Sequence, residues 1–415
     1  MKQGFLILSH QGLSMVPPLA AELARRGYAV CVLSSTSARG LVPDWGAQVT
    51  HAAFADGHAL DWAQVSAHLD ALSGRFRLVG CISVWDGYRD LMARANRRLG
   101  ACDVAPEAIE SLRDKLTMRD TLRRHGLTRK TAQVLTAERF AALADRSRHF
   151  IKPRTGLASF GTFRADRLAH YDELAALWRR ACDDAAYCGI FGGEPAFIVE
   201  DLIRGPECSF EVSVERGCIT VHAVHEKVDL QSHGRTTLEN ACTCPPLSLP
   251  PEALASGPEF VARCLGAFGI DSGVYHIEAR HHPEDGWEII EINPRIGGAY
   301  IVDSTQLHCG VDLLARWIDL LTGRIATPAP NERRHTFFRV FFGEGGRTVR
   351  RLSRRDTGQP ALRDKLFVAE GERLPQVERE IFVGQALWDI TALSSAERAH
   401  FVVASQDHFA IEYHA

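Results

Sequence analysis

Two acidic residues, Glu278 and Glu291, stand in short apolar, β-branched runs on either side of a loop rich in turn formers. The first run is Val274-Tyr-His-Ile-Glu278. The second is Glu288-Ile-Ile-Glu291-Ile-Asn293-Pro-Arg295-Ile-Gly-Gly298, and His-His-Pro-Glu-Asp-Gly lies between them. Such a pattern predicts two antiparallel strands. Alternation along a strand puts Glu291 and Asn293 on one face, and Ile290 and Ile292 on the other. With the turn centred near Glu284 and Asp285, Glu278 lies opposite Glu291, subject to the slip that a bulge at Gly286 would cause. Like charges facing each other across a ladder are destabilising unless something sits between them. A hard divalent cation suits that position. Magnesium favours one or two carboxylates together with substrate phosphates, and Asn293 adds a neutral amide oxygen. Arg295 then stands beside the phosphates, and the whole reads as a magnesium-nucleotide clamp. A single acid in a strand is more often part of a solvated face. The full set, followed by a Gly-Gly step that lets backbone approach a ligand, favours the clamp.

Composition bounds what must carry this hairpin. A chain of 415 residues is too long for one small core and implies about two to three packed units. Hydrophobic residues make up 46% and charged residues 24%, as in ordinary globular proteins. With 48 Lys and Arg against 51 Asp and Glu, and no basic block, a nucleic-acid surface is not expected. The N-terminus offers Lys2 and a short apolar run, Phe5 to Leu8, which reads as a buried strand and not as a signal peptide or membrane span. Eleven cysteines without C-x-x-C spacing argue against a disulfide framework or zinc knuckle and for reduced thiols in a cytoplasmic enzyme. Cys242 and Cys244 are the only close pair and read as packing residues.

Along the chain, a strand at Phe5 to Leu8, a helix from about Pro17 to Gly27 and a strand at Tyr28 to Leu33 form a β-α-β opening, which predicts a parallel sheet. Its first loop lacks the G-x-G-x-x-G spacing of a dinucleotide site. A further strand, Leu78 to Val84, ends at Trp85-Asp86; Asp86 either lines a cleft or caps the helix from about Arg89 to Leu99. From about residue 106 two helical segments bring Lys115 and Arg119 to one face. The run His149-Phe-Ile-Lys152-Pro then enters Arg-Thr-Gly156-Leu-Ala-Ser159-Phe-Gly161-Thr, a loop able to fold backbone N–H groups over phosphates. It lacks the G-K-[ST] ending of a P-loop. A helix near Tyr171 to Cys182, a strand Ala196 to Glu200 and an alternating strand Ser209 to Val214 follow. From Asn331 onward strands and turns are expected. No internal repeat or low-complexity tract is present.

The order of these pieces resembles the ATP-grasp superfamily, and within it the carboxylate-amine ligases that include L-amino-acid (dipeptide) ligases. What carries the resemblance, over about residues 100 to 320, is Arg-Asp-Lys115-x-x-x-Arg, Ile-Lys152-Pro with its glycine loop, Val-Glu200-Asp-Leu-Ile-x-Gly-x-Glu207, Glu278, and Glu291-x-Asn293-Pro-Arg295. The fold it implies is α/β, with α+β character in the grasp. A parallel-sheet N-terminal domain (1–105) precedes an ATP-grasp domain (106–325) and a small C-terminal lobe (326–415). It implies ATP with magnesium, or manganese in its place. Lys115 and Lys152 bind phosphates, and Lys152 also lies near the adenine. Gly156, Ser159 and Gly161 belong to the phosphate loop. Glu200, Asp201, Leu202 and Ile203 form the hinge against adenine, and Glu207 holds the ribose. Glu278, Glu291 and Asn293 are the metal ligands, and Arg295 meets the γ-phosphate and the acyl phosphate formed from it. Gly297 and Gly298 border the acceptor pocket. Related ligases carry a glutamate followed closely by a histidine before a proline. Here Leu238-Glu239-Asn-Ala-Cys242-Thr-Cys-Pro245 matches Glu239 to the glutamate and puts Cys242 where the histidine stands. His225, Lys227 and His233 lie nearby and either contribute to the acceptor site or, as such residues more often do, lie at the surface.

The resemblance implies an ATP-dependent ligase that joins an amino-acid carboxylate to an amine through an acyl phosphate, with release of ADP and phosphate. The competing reading is a carboxylase or kinase-like enzyme on the same fold that phosphorylates another carboxylate. A regulatory protein without catalysis would have lost a metal ligand or phosphate lysine, and none is missing. The partners implied are small molecules, an amino acid and an amine, with neither nucleic acid nor membrane; a homodimer is expected only by family analogy.

Overall fold

The computed structural model describes the chain apart from residues 13–14, 38–44, 157–158, 188, 192, 234–235, 325–332, 378–380 and 415, and apart from the side chains of 230–239. Strands β1 (Lys2–Ser9), β2 (Ala29–Ser35), β3 (Val49–Ala55) and β4 (Phe76–Ile82) form a parallel sheet of order β3-β2-β1-β4. Helices α1 (Val16–Arg25), α2 (Trp62–Ser73) and α3 (Arg89–Leu99) accompany it. Phe5, Leu6, Ile7 and Leu8 are wholly buried, as expected for a parallel strand covered on both sides, whose sequence is a continuous apolar run. The strand order reverses at β1. The carboxyl ends of β1 and β4 therefore flank the position where α/β sheets bind ligands.

Next come α4 (Pro106–Arg113) and α5 (Lys115–Arg124), joined at Asp114, which caps α5 by accepting from Leu116 N and Thr117 N. A second small sheet, order β5-β8-β6-β7, consists of β5 (Ala132–Val134), β6 (His149–Pro153), β7 (Phe163–Arg164) and β8 (Phe197–Asp201). It carries α6 (Ala137–Ala142) and α7 (Glu173–Asp183) and has its own core around Phe160, Trp178, Phe191 and Phe197. We refer to this unit as the lid.

The remaining strands are β9 (Glu207–Glu215), β10 (Cys218–His233), β11 (Thr236–Cys244), β12 (Ser272–His282), β13 (Gly286–Asn293), β14 (Thr336–Gly343), β15 (Val349–Arg354), β16 (Arg363–Leu366), β17 (Ile381–Asp389) and β18 (Phe409–Tyr413). β15 pairs with β18, and the others form one sheet of order β13-β12-β9-β10-β11-β14-β17-β16. The sheet thus runs without a break from the acidic hairpin into the C-terminal residues, which also have a core of their own around Phe337, Trp388 and Phe401. One face of β9, β12 and β13 is apolar: Phe210, Val212, Tyr275, Ile277, Ile289 and Ile292 pack with Val261 and Leu265 of α8 (Pro251–Gly266). α9 (Ile301–Cys309) and α10 (Leu313–Leu321) follow the hairpin, and α11 (Ser395–Ala404) lies near the C-terminus. Strand-and-turn composition hides α11, but its capping box was legible: Ser394 accepts from Glu397 N, and the Glu397 side chain accepts from Ser394 N.

One buried ion pair fixes the N-terminal unit to the hairpin. Arg89 donates to both oxygens of Asp103 (2.9 and 2.5 Å) and, through Nε, to Pro294 O (2.8 Å). Both side chains are almost fully buried. Removing one partner leaves the other charge uncompensated, which costs far more than replacing both. Arg89→Leu is therefore expected to lower unfolding stability by about 3–5 kcal/mol. The double variant with Asp103→Leu should recover most of that loss in denaturant titration. Equal losses in the single and double variants would remove the pair from this role.

Candidate active site

The hairpin puts Glu278 directly opposite Glu291, and His276 opposite Asn293. The ladder slips at Ile290, not at Gly286: the next pair after Glu278 and Glu291 is Ala279 with Ile289. This bulge keeps Glu288 and Glu291 on the same face although an odd number of residues separates them. That face therefore carries His276, Glu278 and Arg280 from β12 beside Glu288, Glu291 and Asn293 from β13.

Cations approach it from three directions. Lys115 Nζ, at the start of α5, is 3.1 Å from Glu291. Its placement follows from the Asp114 corner, since Lys115 N donates to Arg154 O (2.9 Å) and Arg154 pairs with Asp114. Lys152 on β6 and Glu200 on β8 share the face of the lid opposite its core; their side chains meet at 2.5 Å, and Lys152 also donates to Ile290 O (3.2 Å). Arg119, with no exposed surface, bridges Glu200 (3.3 Å) and Ile289 O (2.6 Å). Burial would favour the neutral Glu200 acid, but Lys152 and Arg119 overcome it and hold the carboxyl below its ordinary range. Burial draws the Lys152 ammonium below its usual value, with the like charges of Arg119 and Lys115 adding to the effect and Glu200 opposing it. Arg119 also lies 3.7 Å from Glu288, so three cations and three carboxylates meet at this end of the hairpin.

A second network runs deeper along the sheet. Lys227 Nζ contacts Glu207 (2.6 Å) and Glu278 (3.3 Å), and Arg280 donates to Glu207 (2.8 Å). His276 lies 2.8 Å from Glu211 and 3.4 Å from Glu278. Despite burial, the two carboxylates raise the His276 pKa to about 10. His225, wholly buried, lies 2.8 Å from Ser304 Oγ; burial lowers its pKa to about 4. The surface alternative for His225 and Lys227 is thus incorrect, because alternation along β10 turns both toward the buried site face. The side chains of Glu239 and His233 lie outside the described residues.

Arg295 pairs with Asp86 through two 2.7 Å hydrogen bonds from Nε and Nη2, while Nη1 donates to Ile296 O. Asp86 does not cap α3; it lines the cleft. A narrow crevice there is lined by Asp86, Arg113, Lys115, Gly156, Glu291 and Asn293. Gly297 is required by space, since a Cβ would lie 2.6 Å from Ile301 and 2.8 Å from His276 Nδ1. Cys242 is buried with Tyr300, Ile301 and Phe338, and pairs across the ladder with Lys227. In the glycine loop, Ser159 and Gly161 both have positive φ, and Thr162 Oγ1 donates to Ser159 O (2.6 Å). At the hinge, the Asp201 carboxylate accepts from Thr131, Leu202 N donates to Arg148 O, and Ile203 O accepts from Arg280.

Lys115, Lys152, Glu200, Glu207, Glu278, Glu291, Asn293, Arg295 and Gly297 therefore belong to one connected region, with Gly156 at its edge. Arg119, Glu211 and His276 were not singled out in the sequence as site residues, and for Asp86 the cleft was one of two alternatives. A signal existed in β9, where Glu207, Ser209, Glu211 and Ser213 alternate with Cys208, Phe210, Val212 and Val214.

Residues 148–303 match the family described as the ATP-grasp domain. The matched residues run from the lid through the hairpin and into α9. Its fold is similar to that of the L-amino acid ligase from Bacillus licheniformis, with a TM-score of 0.76, 18% identity and coverage of 100% of both chains. Phosphoribosylglycinamide synthetase from Anaerococcus prevotii gives 0.69 at 13% identity, covering 99% of each. The biotin carboxylase domain of the Hydrogenobacter thermophilus 2-oxoglutarate carboxylase, solved with MgADP, gives 0.68 at 14%, covering 98% of this chain and 90% of that one. Among curated proteins, human carnosine synthase 1 is 27% identical over 277 residues, covering 62% of this chain and 33% of the relative. The Gallus gallus carnosine synthase 1 is 26% identical over 300 residues, covering 66% and 31%. The chain spans about a third of the length of these relatives. No helix among its described residues is long and apolar enough to cross a membrane.

The two histidines give opposite pH limbs. His276, raised to about 10 from an unfolded value near 6.5, contributes stability that is complete below pH ~6.5 and lost as pH rises toward about 10. His225, lowered to about 4, contributes stability that is complete above pH ~6.5 and lost as pH falls toward about 4. Thermal unfolding across pH should show His276→Asn flattening the alkaline limb and His225→Asn the acid limb. A profile changed on the same side by both would contradict the assignment.

Proposed function

We propose that this protein is an ATP-dependent ligase that forms an amide or peptide bond between an amino-acid carboxylate and an amine, with a second amino acid as the acceptor class. The observation that carries this reading is the gathering of three cations at the hairpin on which Glu278 and Glu291 face each other: Lys115 pairs with Glu291, Lys152 donates to Ile290 O, and Arg295, just after the hairpin, is held by Asp86. The L-amino acid ligase likeness and the relatives named carnosine synthase, after a dipeptide, support it.

The donor carboxylate is a poor electrophile until it takes the γ-phosphoryl group of ATP. Lys115 and Lys152 hold phosphate oxygens, and Arg295, fixed by Asp86, neutralises charge on the transferring group and then on the oxyanion formed when the amine attacks. Glu200 to Ile203 line the adenine side, and Glu207 is placed for the ribose hydroxyls. The donor set fits magnesium, or manganese in its place: two facing carboxylates and the Asn293 oxygen lie on one face of the hairpin. When bound there, the ion would neutralise phosphate oxygens. Among the described residues, no three His, Cys, Asp or Glu side chains form a ready metal cage. Phosphate oxygens would then supply the remaining ligands. Gly297, Gly298 and Cys242, with Glu239 on the same strand as Cys242, border the acceptor side.

Glu291→Gln removes charge without changing volume, and is expected to leave thermal unfolding near that of the wild type while lowering amine-dependent ADP release by about 100-fold or more. A folded variant with near-normal turnover would sink the metal assignment. With donor amino acid, ATP and magnesium but no acceptor, hydroxylamine should yield the donor hydroxamate in step with ADP. AMP and pyrophosphate as products would instead indicate adenylation. Cys242→His is expected to alter which amines are accepted while leaving the KM for ATP within about twofold, since it adds a donor on the acceptor side only. An unchanged acceptor profile would count against Cys242 lining that pocket.

A further inference from the structure

The lid touches the N-terminal unit at a built contact. Gln11 Nε2 donates to Ala185 O (2.5 Å) and to His58 O (3.2 Å), and His10 Nε2 donates to Ala186 O (3.1 Å). His10 is held in place from both sides: Nδ1 lies 3.0 Å from Tyr88 Oη, and the ring stacks on Trp85 at 4.4 Å. The loop presenting these side chains is tied down by its backbone. Gln11 N donates to Ser35 Oγ (2.9 Å), Gly12 N donates to Ser34 Oγ (3.1 Å), and Gln11 has a φ of 51°. A left-handed conformation at a non-glycine residue is uncommon, and such residues concentrate at functional contacts. The facing surfaces fit closely, since a Cβ at Gly189 would lie 2.9 Å from Ala59 and one at Gly87 would lie 3.1 Å from Ile190.

On the lid side the contact leads to the glycine loop. Ala185 and Ala186 begin the turn after α7, and Tyr187 and Phe191 pack edge-on against Phe160 at 5.4 and 5.3 Å. Phe160 lies between Ser159 and Gly161 in the phosphate loop. The loop is thus braced by a segment whose carbonyls are gripped at the carboxyl end of β1.

We propose that Gln11 and His10 are positioning residues that dock the lid on the N-terminal unit and, through Tyr187, Phe191 and Phe160, hold the Ser159–Gly161 end of the glycine loop in place while the acyl phosphate exists. The catalytic consequence rests on the ligase reading; the docking itself does not. With the lid undocked, water replaces the amine. A water oxygen bonds to the acyl carbon, the bond from that carbon to the phosphoryl oxygen breaks, inorganic phosphate leaves, and the water's proton passes to solvent. ATP is then consumed without amide.

Two variants test this. Gln11→Glu sets a carboxylate against the carbonyls of Ala185 and His58, and Gln11→Met removes the donor without adding charge; both retain the backbone bonds to Ser34 and Ser35. With a non-hydrolysable ATP analogue and magnesium, proteolysis between residues 154 and 192 is expected to run about tenfold faster in both variants than in the wild type, the loss of one hydrogen bond's worth of closure. The ratio of amide to ADP should fall severalfold while the KM for ATP holds within about twofold, because the phosphate ligands are untouched. Unchanged proteolysis in both variants overturns the docking. Faster proteolysis with an unchanged amide-to-ADP ratio overturns the link to water exclusion. A wild type that makes no amide from any amino-acid pair defeats the ligase reading instead, and the proteolysis comparison still decides the docking.

Discussion

Two carboxylates face each other across an antiparallel ladder, and their mutual repulsion is the constraint around which this molecule is arranged. Glu278 and Glu291 are directly opposed, a placement that costs stability unless positive charge is supplied. Lys115 supplies it at Glu291 and Lys227 at Glu278. Each cation comes from a different element, one from the corner between two helices and one from β10, two strands along the sheet from β12. The opposite face of the same hairpin is apolar from Tyr275 to Ala279 on β12 and packs on α8, with His281 against Trp287 at its end. The bulge at Ile290 reconciles the two demands by holding the acids on one side and the isoleucines on the other.

Buried charge networks of this kind contribute little net stability, because desolvation offsets most of the Coulombic gain. The face from Glu207 to Asn293 carries five glutamates (Glu207, Glu211, Glu278, Glu288 and Glu291), His225, His276, Lys227 and Arg280 where apolar side chains would pack at lower cost. Function is the better account of it. Burial and pairing set the two histidines apart: His276 is held charged between Glu211 and Glu278, while His225, 3.7 Å from the same Glu211, is held neutral by burial. A site that must receive a polyanion and a developing oxyanion gains from charges whose positions are set before the ligand arrives.

Much of this was legible in the sequence because strand alternation is local. The hairpin follows from explicit turn residues, although the turn is centred on Glu284 and only the bulge at Ile290 brings Glu291 opposite Glu278; the β-α-β opening follows from runs of uniform apolarity. What was not legible is set by sheet order. His276 gains its charge from Glu211, and Lys227 reaches Glu278, only because β9 lies between β12 and β10. Asp86 meets Arg295 across 209 residues, a contact that no periodicity encodes; the local alternative, a helix cap, was chemically reasonable. His225 and Lys227 looked like surface residues because their strand alternates polar with apolar, and alternation gives the two faces without saying that both will be covered.

The Asp86–Arg295 pair shows how the N-terminal unit enters the chemistry. A guanidinium has five N–H groups in a rigid fork. Asp86 takes one from Nε and one from Nη2, and Ile296 O takes one from Nη1, which leaves two directed away from those partners. An arginine free to rotate would lose entropy on meeting an oxyanion and would be drawn toward any nearby carboxylate, Glu291 included. Clamped along one edge, Arg295 keeps its orientation and its charge, and can offer the remaining donors without reorganising. Arg89 secures the same arrangement from behind, binding Pro294 O and Asp103 at once. The parallel sheet therefore acts as a jig for the residue after the hairpin: its strand ends supply Asp86, its third helix supplies Arg89, and together they hold Arg295 at the mouth of the carboxylate pair.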